Sequence, residues 1–224
     1  MKILAIDTST KYLCIGVFCD GKVHEYNLET GRELSRLIAV TIDRVLKAVG
    51  LEPADIGYFA CGLGPGSFTG MRVGVSFIKG LAWVNKKKVI GISTLDILAK
   101  GIKSANQDIV PVIDAKRNLF YSCIFSNANG RLRRKTPYLL LNQQELLKKI
   151  KPQSIILGDG VPLLGNHIFG AIRGAEILDK DYWYPKAHNI IELALEKIKN
   201  KSFNSAFDIK PIYLYPKECQ IRNV

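Results

Sequence analysis

The residues best placed to do chemistry are a glycine-dense run, two aspartates and three scattered histidines. The run is Gly62-Leu-Gly-Pro-Gly-Ser-Phe-Thr-Gly70, lying between an apolar segment and a helical pattern. Loops of this type cradle phosphate, because backbone N–H groups and a helix N-terminus attract anions. The register departs from the common phosphate loops: Ser67 and Thr69 stand where a Gly-x-Gly-x-x-Gly pattern needs glycine, and no Lys-Ser/Thr follows. Pro65 removes one donor. The second reading is favoured, that Gly62, Gly64, Gly66 and Gly70 let a strand turn tightly and the next helix pack closely. Ser67 lacks flanking glycines and so is not a nucleophile on an elbow. His24, His167 and His188 make no H-x-x-x-H or H-E-x-x-H pair, so no metal is expected. Asp7 and Asp114 each end an apolar run followed by a polar turn. With Thr8 and Ser9 they could hold Mg²⁺ or orient a water across a cleft, or simply form turns.

The elements that must position these residues come from the hydrophobic periods. Residues 2–7, 12–18 and 23–28 alternate with polar turns, one of them Asp20-Gly21, and predict a three-stranded antiparallel meander. Residues 33–49 predict a helix, whose Leu34, Leu37, Ile38, Thr41, Ile42, Val45, Leu46 and Val49 cover about half the circumference, more than the ~100° stripe of a surface helix. After a strand at 56–61 and the glycine loop, residues 71–84 predict a helix apolar nearly all round, with Met71, Val73, Val75, Phe77, Ile78, Leu81, Ala82 and Val84. A strand at 89–92 and a helix capped by Ser93 or Thr94 follow. The pattern then restarts. Leu4-Ala-Ile-Asp7 through Phe18 is matched by Pro111-Val-Ile-Asp114 through Phe125, with four-residue polar turns and Phe eleven positions after each Asp. The later part predicts a strand at 138–141, a helix at 143–150, a strand at 154–157, a helix after Pro162 and a helix at 189–199. This is an α/β chain of two related lobes, 1–100 and 101–224, with a hinge around 100–108 and a C-terminal helix free to pack back on the first lobe.

Composition fits that reading. The 224 residues are 47% hydrophobic and 23% charged, without a run of 18 apolar residues, so the expectation is a soluble, cytoplasmic chain without membrane contact. Cys14, Cys19, Cys61, Cys123 and Cys219 make an odd set lacking C-x-x-C, and read as small buried hydrophobes. The net charge of +12 is uneven: 13 basic and 9 acidic residues lie in 1–100, against 19 and 11 in 101–224. Its clusters, Arg131, Arg133, Arg134 and Lys135 with Lys148, Lys149 and Lys151, read first as a solvated face. Direct nucleic-acid contact is the alternative.

Ile6-Asp-Thr-Ser-Thr10, the block Gly64-Pro-Gly-Ser-Phe-Thr-Gly-Met-Arg-Val-Gly74, Lys79-Gly-Leu-Ala82, Gly91-Ile-Ser-Thr-Leu95 and Ile113-Asp-Ala-Lys-Arg117 together resemble the bacterial TsaB (YeaZ) family. Weaker echoes stand at Leu157-Gly-Asp-Gly160 and Pro211-Ile-Tyr-Leu214. The resemblance implies a duplicated actin/Hsp70/sugar-kinase (ASKHA, RNase H-like) fold. It also implies a subunit needed to form N6-threonylcarbamoyladenosine at tRNA position 37, partnered by the catalytic paralogue TsaD and the ATPase TsaE. TsaD carries an iron-binding histidine pair on its first helix, whereas Glu33 to Thr41 here contain no histidine. The expected role is therefore a non-catalytic scaffold or activator without a cofactor, or with a vestigial nucleotide site at most.

On this reading the docking surface comprises Leu34, Leu37, Ile38, Thr41, Ile42 and Val45 with Met71, Val75, Ile78 and Ala82, for pairing with TsaD or in a homodimer. The competing expectation is that packing within the chain consumes both helix faces. The enzyme alternative is a small Mg-nucleotide-dependent kinase or phosphotransferase using Asp7 and Asp114. Against it, the turn after Asp114 is Ala-Lys-Arg-Asn, without a glycine to let backbone approach a phosphate.

Overall fold

A computed structural model describes residues 1–103, 107–128, 131–165 and 172–216. The chain divides into two compact units, Met1–Ile97 with Pro185–Pro211, and Leu98–Tyr184 with Ile212–Val224.

The first unit opens with the expected meander: β1 (Ile3–Asp7), β2 (Tyr12–Cys19) and β3 (Lys22–Glu29). Asp20 and Gly21 join β2 to β3 at φ 50° and 76°, the left-handed pair that a two-residue hairpin turn requires. α1 (Leu34–Ala48) then crosses to β4 (Tyr58–Gly62), and α2 (Phe68–Val84) crosses to β5 (Lys88–Ile92). The sheet order is β3-β2-β1-β4-β5, with β1, β4 and β5 parallel. α1 and α2 cover one face, where Ile38, Ile42, Leu46, Val75 and Ile78 meet Leu4, Ile6, Leu13 and Ile15.

The other face belongs to α5 (Ala187–Lys199), whose Ala187, Ile190, Ile191 and Ala194 meet Ile3, Ala5, Cys14 and Ile90. Each such buried isoleucine contributes about 1.5–3 kcal/mol. A boundary at residue 100 counts this helix with the second lobe. The structure takes the packed-back alternative, because a β1 buried on both sides needs apolar cover on both. Gly16 permits the approach, since a Cβ there would sit 3.0 Å from the Ala187 Cβ. The β5 edge is closed by Asn204, which exchanges backbone bonds of 3.0 and 2.7 Å with Val89. α3 (Thr94–Lys100) leads out of this unit.

The second unit contains β6 (Ile109–Lys116), β7 (Leu119–Ser122), β8 (Phe125–Ala128), β9 (Arg131–Arg134), β10 (Leu139–Asn142), β11 (Ile155–Leu157) and β12 (Glu176–Ile177), with α4 (Gln143–Lys149). β6 pairs antiparallel with β7 and parallel with β11, as β1 pairs with β2 and β4. The duplication read from the sequence is thus present in the topology.

The second copy departs from the first in three ways. β6 runs on through a bulge to Lys116, so its turn is tighter than four residues, and Lys116, Arg117 and Asn118 all take positive φ. Its partner strand breaks after Ser122 and re-enters as β8, so that Phe125 faces Ile109 as Phe18 faces Ile3. The helix expected after Pro162 is one 3-10 turn, Val161–Leu164, ended by Gly165 at φ 60°. Cys14, Cys19, Cys61 and Cys123 are free and buried, while Cys219, His167 and residues 104–106 of the expected hinge lie outside the described residues.

Candidate functional site

The end of β1 presents Asp7, the residue best suited to hold a metal nucleotide. Its carboxylate is fully buried. Oδ1 accepts from the Ser9 backbone N–H at 2.8 Å and the Ser9 hydroxyl at 2.6 Å, and Oδ2 accepts from the Thr94 hydroxyl at 2.7 Å. Burial pushes the Asp7 carboxyl above its ordinary range, and the Ser9 and Thr94 bonds pull the other way. Such a carboxylate is sealed and partnered, with no exposed oxygen to offer a cation.

The glycine run explains the seal. α2 begins at Phe68 rather than 71, so Thr69 and Gly70 are in its first turn, and Ser67 is its N-cap, accepting from the Gly70 N–H at 3.2 Å. The Thr8-Ser9 turn is laid into this helix start. The Thr8 hydroxyl donates to the Gly70 carbonyl at 2.8 Å, and the Ser67 N–H donates to the Ser9 carbonyl at 2.7 Å. A Cβ at Gly62 would stand 2.0 Å from Asp7 Oδ2, at Gly66 2.3 Å from the Ser9 carbonyl, at Gly70 2.0 Å from the Thr8 carbonyl, and at Gly74 2.1 Å from Thr8 Oγ1. The space that a phosphate would take in a cradle is filled by the chain's own turn. Gly64 has a separate reason, φ 85° before the cis bond to Pro65.

Asp114, the counterpart in the second unit, is more open. It pairs with the Lys116 ammonium and accepts from the Lys116 N–H at 2.7 Å. Its own N–H donates to Asp159 Oδ1 at 3.2 Å. Burial, with the Asp114 charge adding to it, pushes the Asp159 carboxyl up to about 6. Asp159 was not among the expected site residues, although the Gly158-Asp-Gly160 punctuation marks it: a Cβ on Gly160 would press 3.1 Å from the Asp114 nitrogen. Among the described residues no group of three or more His, Cys, Asp or Glu could hold a metal.

The helix faces correct the expected docking list. Leu34, Ile38, Thr41 and Ile42 of α1, and Met71, Val75, Ile78 and Ala82 of α2, are buried within the chain's own fold, and Leu37 and Val45 are half-buried. The reason is geometric: the centre of a wide apolar arc must meet the sheet, and only its flanks reach solvent. Those flanks remain apolar. Val40 is 49% exposed, Phe68 38%, Trp83 65% and Val84 71%, while Val73, Phe77 and Leu81 are half-buried and pack against the core. Phe68 lies under the Arg72 guanidinium at 3.7 Å from its ring centre, and Lys79 bonds the carbonyl of Phe207, itself 71% exposed, at 3.5 Å. Exposed apolar side chains therefore stand at both ends of α2 with basic residues near them, and periodicity marked the helix but not which of its residues face solvent.

Known proteins match this chain along most of its length. The tRNA threonylcarbamoyladenosine biosynthesis protein TsaB of Escherichia coli (strain K12) is 28% identical over 223 residues, 96% of this chain and 94% of that protein. The TsaB of Bacillus subtilis (strain 168) is 30% identical over 167 residues, 73% of each. The chain belongs to the TsaB (YeaZ) family. Residues 28–157 also match the family described as TsaD: tRNA N6-adenosine threonylcarbamoyltransferase. YeaZ from Pseudomonas aeruginosa superposes with a TM-score of 0.84 at 21% identity, over 95% of this chain and 99% of that one. A Bacteroides thetaiotaomicron protein with an actin-like ATPase fold superposes at 0.51 with 7% identity, over 87% and 95%. The fold is the actin-like, ASKHA type. In this TsaB-family chain the family's glycine block, 64–74, is the surface on which the Thr8-Ser9 turn rests.

Proposed function

We propose that the chain is the non-catalytic subunit of the bacterial assembly that makes N6-threonylcarbamoyladenosine at tRNA position 37. It docks on a TsaD-type catalytic paralogue through the solvent flanks of α1 and α2, and a TsaE-type ATPase acts with them. Family membership supports the pathway. The observation that carries the role is the contrast between the two parts of the first unit: the carboxylate that would do chemistry is sealed, while Val40, Phe68, Trp83 and Val84 face solvent. Exposed aromatic anchors of this kind dominate protein interfaces, with charged groups at the margin setting register. The same exposed residues could pair two copies of this chain, and heterodimer formation would then compete with the homodimer.

Reconstitution tests the proposal. Purified chain, TsaD, TsaE, tRNA, ATP and the threonylcarbamoyl donor enzyme are combined, and the modified nucleoside is quantified by mass spectrometry. Modification should depend on this chain and fall at least tenfold with Trp83→Glu, which should also abolish co-elution with TsaD on a sizing column. Full modification without the chain would refute the role. ATP turnover by the isolated chain, lost in Asp7→Asn, would restore the kinase alternative.

A further inference from the structure

The excess positive charge has a specific address. β9 pairs with β8 alone among the described strands, so its outer edge carries backbone groups that no strand covers. Register puts Arg131 opposite Ala128 and Arg133 opposite Ser126, so both guanidinia rise from one face, above small uncharged neighbours. Two residues along a strand set them about 6.7 Å apart. Arg134 faces the other way, with its guanidinium over the Tyr138 ring, 4.5 Å from its centre. None of the three has an acidic partner among the described residues. Lys135, which the sequence groups with them, differs: it is exposed but paired with the largely buried Asp108, whose carboxylate offsets its charge.

We infer that the outer edge of β9, flanked by Arg131 and Arg133 on one face and Arg134 on the other, forms a phosphate-backbone contact for the tRNA substrate. The choice of RNA as the anion rests on the function proposed above. The chemistry favours a nucleic acid over an acidic peptide for two reasons. Arginine forks match phosphate oxygens two at a time. An extended strand edge also offers further N–H donors along a linear ligand, in a contact that reads backbone and not base sequence.

The test is the salt dependence of affinity for an unmodified, fluorescently labelled tRNA transcript, measured by anisotropy with the full chain. Each phosphate contact contributes about 0.7–0.9 to the log–log slope, so Arg131→Gln/Arg133→Gln/Arg134→Gln should flatten it by about 2–3. Between about 50 and 200 mM salt, the wild type should then lose about 20–40-fold more affinity than the variant. The triple lysine variant should keep most of the slope. If the triple glutamine variant fails to fold, Arg131→Gln and Arg133→Gln singly should each remove about 0.7–0.9.

Three results would overturn the inference: no tRNA binding by the wild-type chain, an unchanged slope in the glutamine variants, or an equal loss in Lys148→Gln/Lys149→Gln, where diffuse charge would be the cause. Loss of TsaD co-elution on hairpin substitution would transfer the surface to a protein partner and also overturn it. The two proposals fail separately. Hairpin variants should leave TsaD pairing intact, and Trp83→Glu should leave the salt slope of the isolated chain intact.

Discussion

Two glycines six residues apart in α2 should respond to alanine with opposite signs. Both are helical, and in an exposed helix interior Gly→Ala is worth about 0.8–1 kcal/mol of added stability. At Gly80 a Cβ would meet no atom within 4 Å, so Gly80→Ala should show that full gain. At Gly74 the Cβ would stand 2.1 Å from Thr8 Oγ1 and 3.2 Å from Thr8 Cβ and Cγ2. Thr8 cannot swing aside cheaply, because its hydroxyl is bonded to the Gly70 carbonyl at 2.8 Å in a buried setting. Overpacking costs about 1–3 kcal/mol and a broken buried bond about 1–3 kcal/mol more. Set against the helical gain, Gly74→Ala should destabilise by about 1–5 kcal/mol, leaving about 2–6 kcal/mol between the two variants. Urea unfolding followed by far-UV circular dichroism measures both, with the midpoint shift read at constant slope. A double-mutant cycle with Thr8→Ala locates the cause: the pair should be at least about 1 kcal/mol less destabilised than the sum of the singles. Equal midpoints for Gly74→Ala and Gly80→Ala would refute the seating of the β1–β2 turn on α2.

Other substitutions probe the same architecture. Thr94→Val keeps shape but strips Asp7 Oδ2 of its hydroxyl donor, and should cost about 2 kcal/mol by chemical denaturation, against less than about 0.5 kcal/mol for Thr94→Ser. Asp159 holds its proton to about 6 in the folded chain and releases it near 3.8 when unfolded, so the unfolded state carries fewer protons between these values and stability falls as pH rises through them. Asp159→Asn should remove that slope and raise stability at pH 7 by up to about 3 kcal/mol, with the advantage vanishing below about pH 4; a parallel pair of pH–stability curves would contradict this. Trp83 should report docking directly, its fluorescence shifting to the blue when TsaD is added, and an unshifted spectrum alongside intact co-elution would place the interface elsewhere.

What the sequence made legible follows physical reach. Strands and helices set by local period were readable, because alternation in 12–18 and the wide apolar arc of 34–49 depend on near neighbours alone. The repeat was readable too, since two strand–turn–strand units carry the same Ile-Asp ending. The sides of α1 and α2 were not, because which part of a broad arc meets the sheet is fixed by partners far along the chain. Asp7 illustrates the same limit. Its type suggests a metal ligand, and only the fold brings Thr94, 87 residues on, to close its second oxygen. The glycine block gave its packing role away in composition, but the object packed, the turn at residues 8 and 9, lies some sixty residues upstream. Pairing of Lys135 with Asp108 likewise divides a basic cluster that composition presents as uniform.

The late return of α5 to the first sheet bears on synthesis. Ribosomes polymerise about 5–20 residues each second, so about 5–20 s separate the emergence of β5 from that of Ala187–Lys199. During that interval the side of the sheet bearing Ile3, Ala5 and Ile90 lacks its lid, and the nascent chain must be shielded by chaperones or by its own transient collapse. Premature termination anywhere before codon 187 would leave that greasy side permanently bare, and the fragment should be degraded or precipitate instead of persisting as a half-protein.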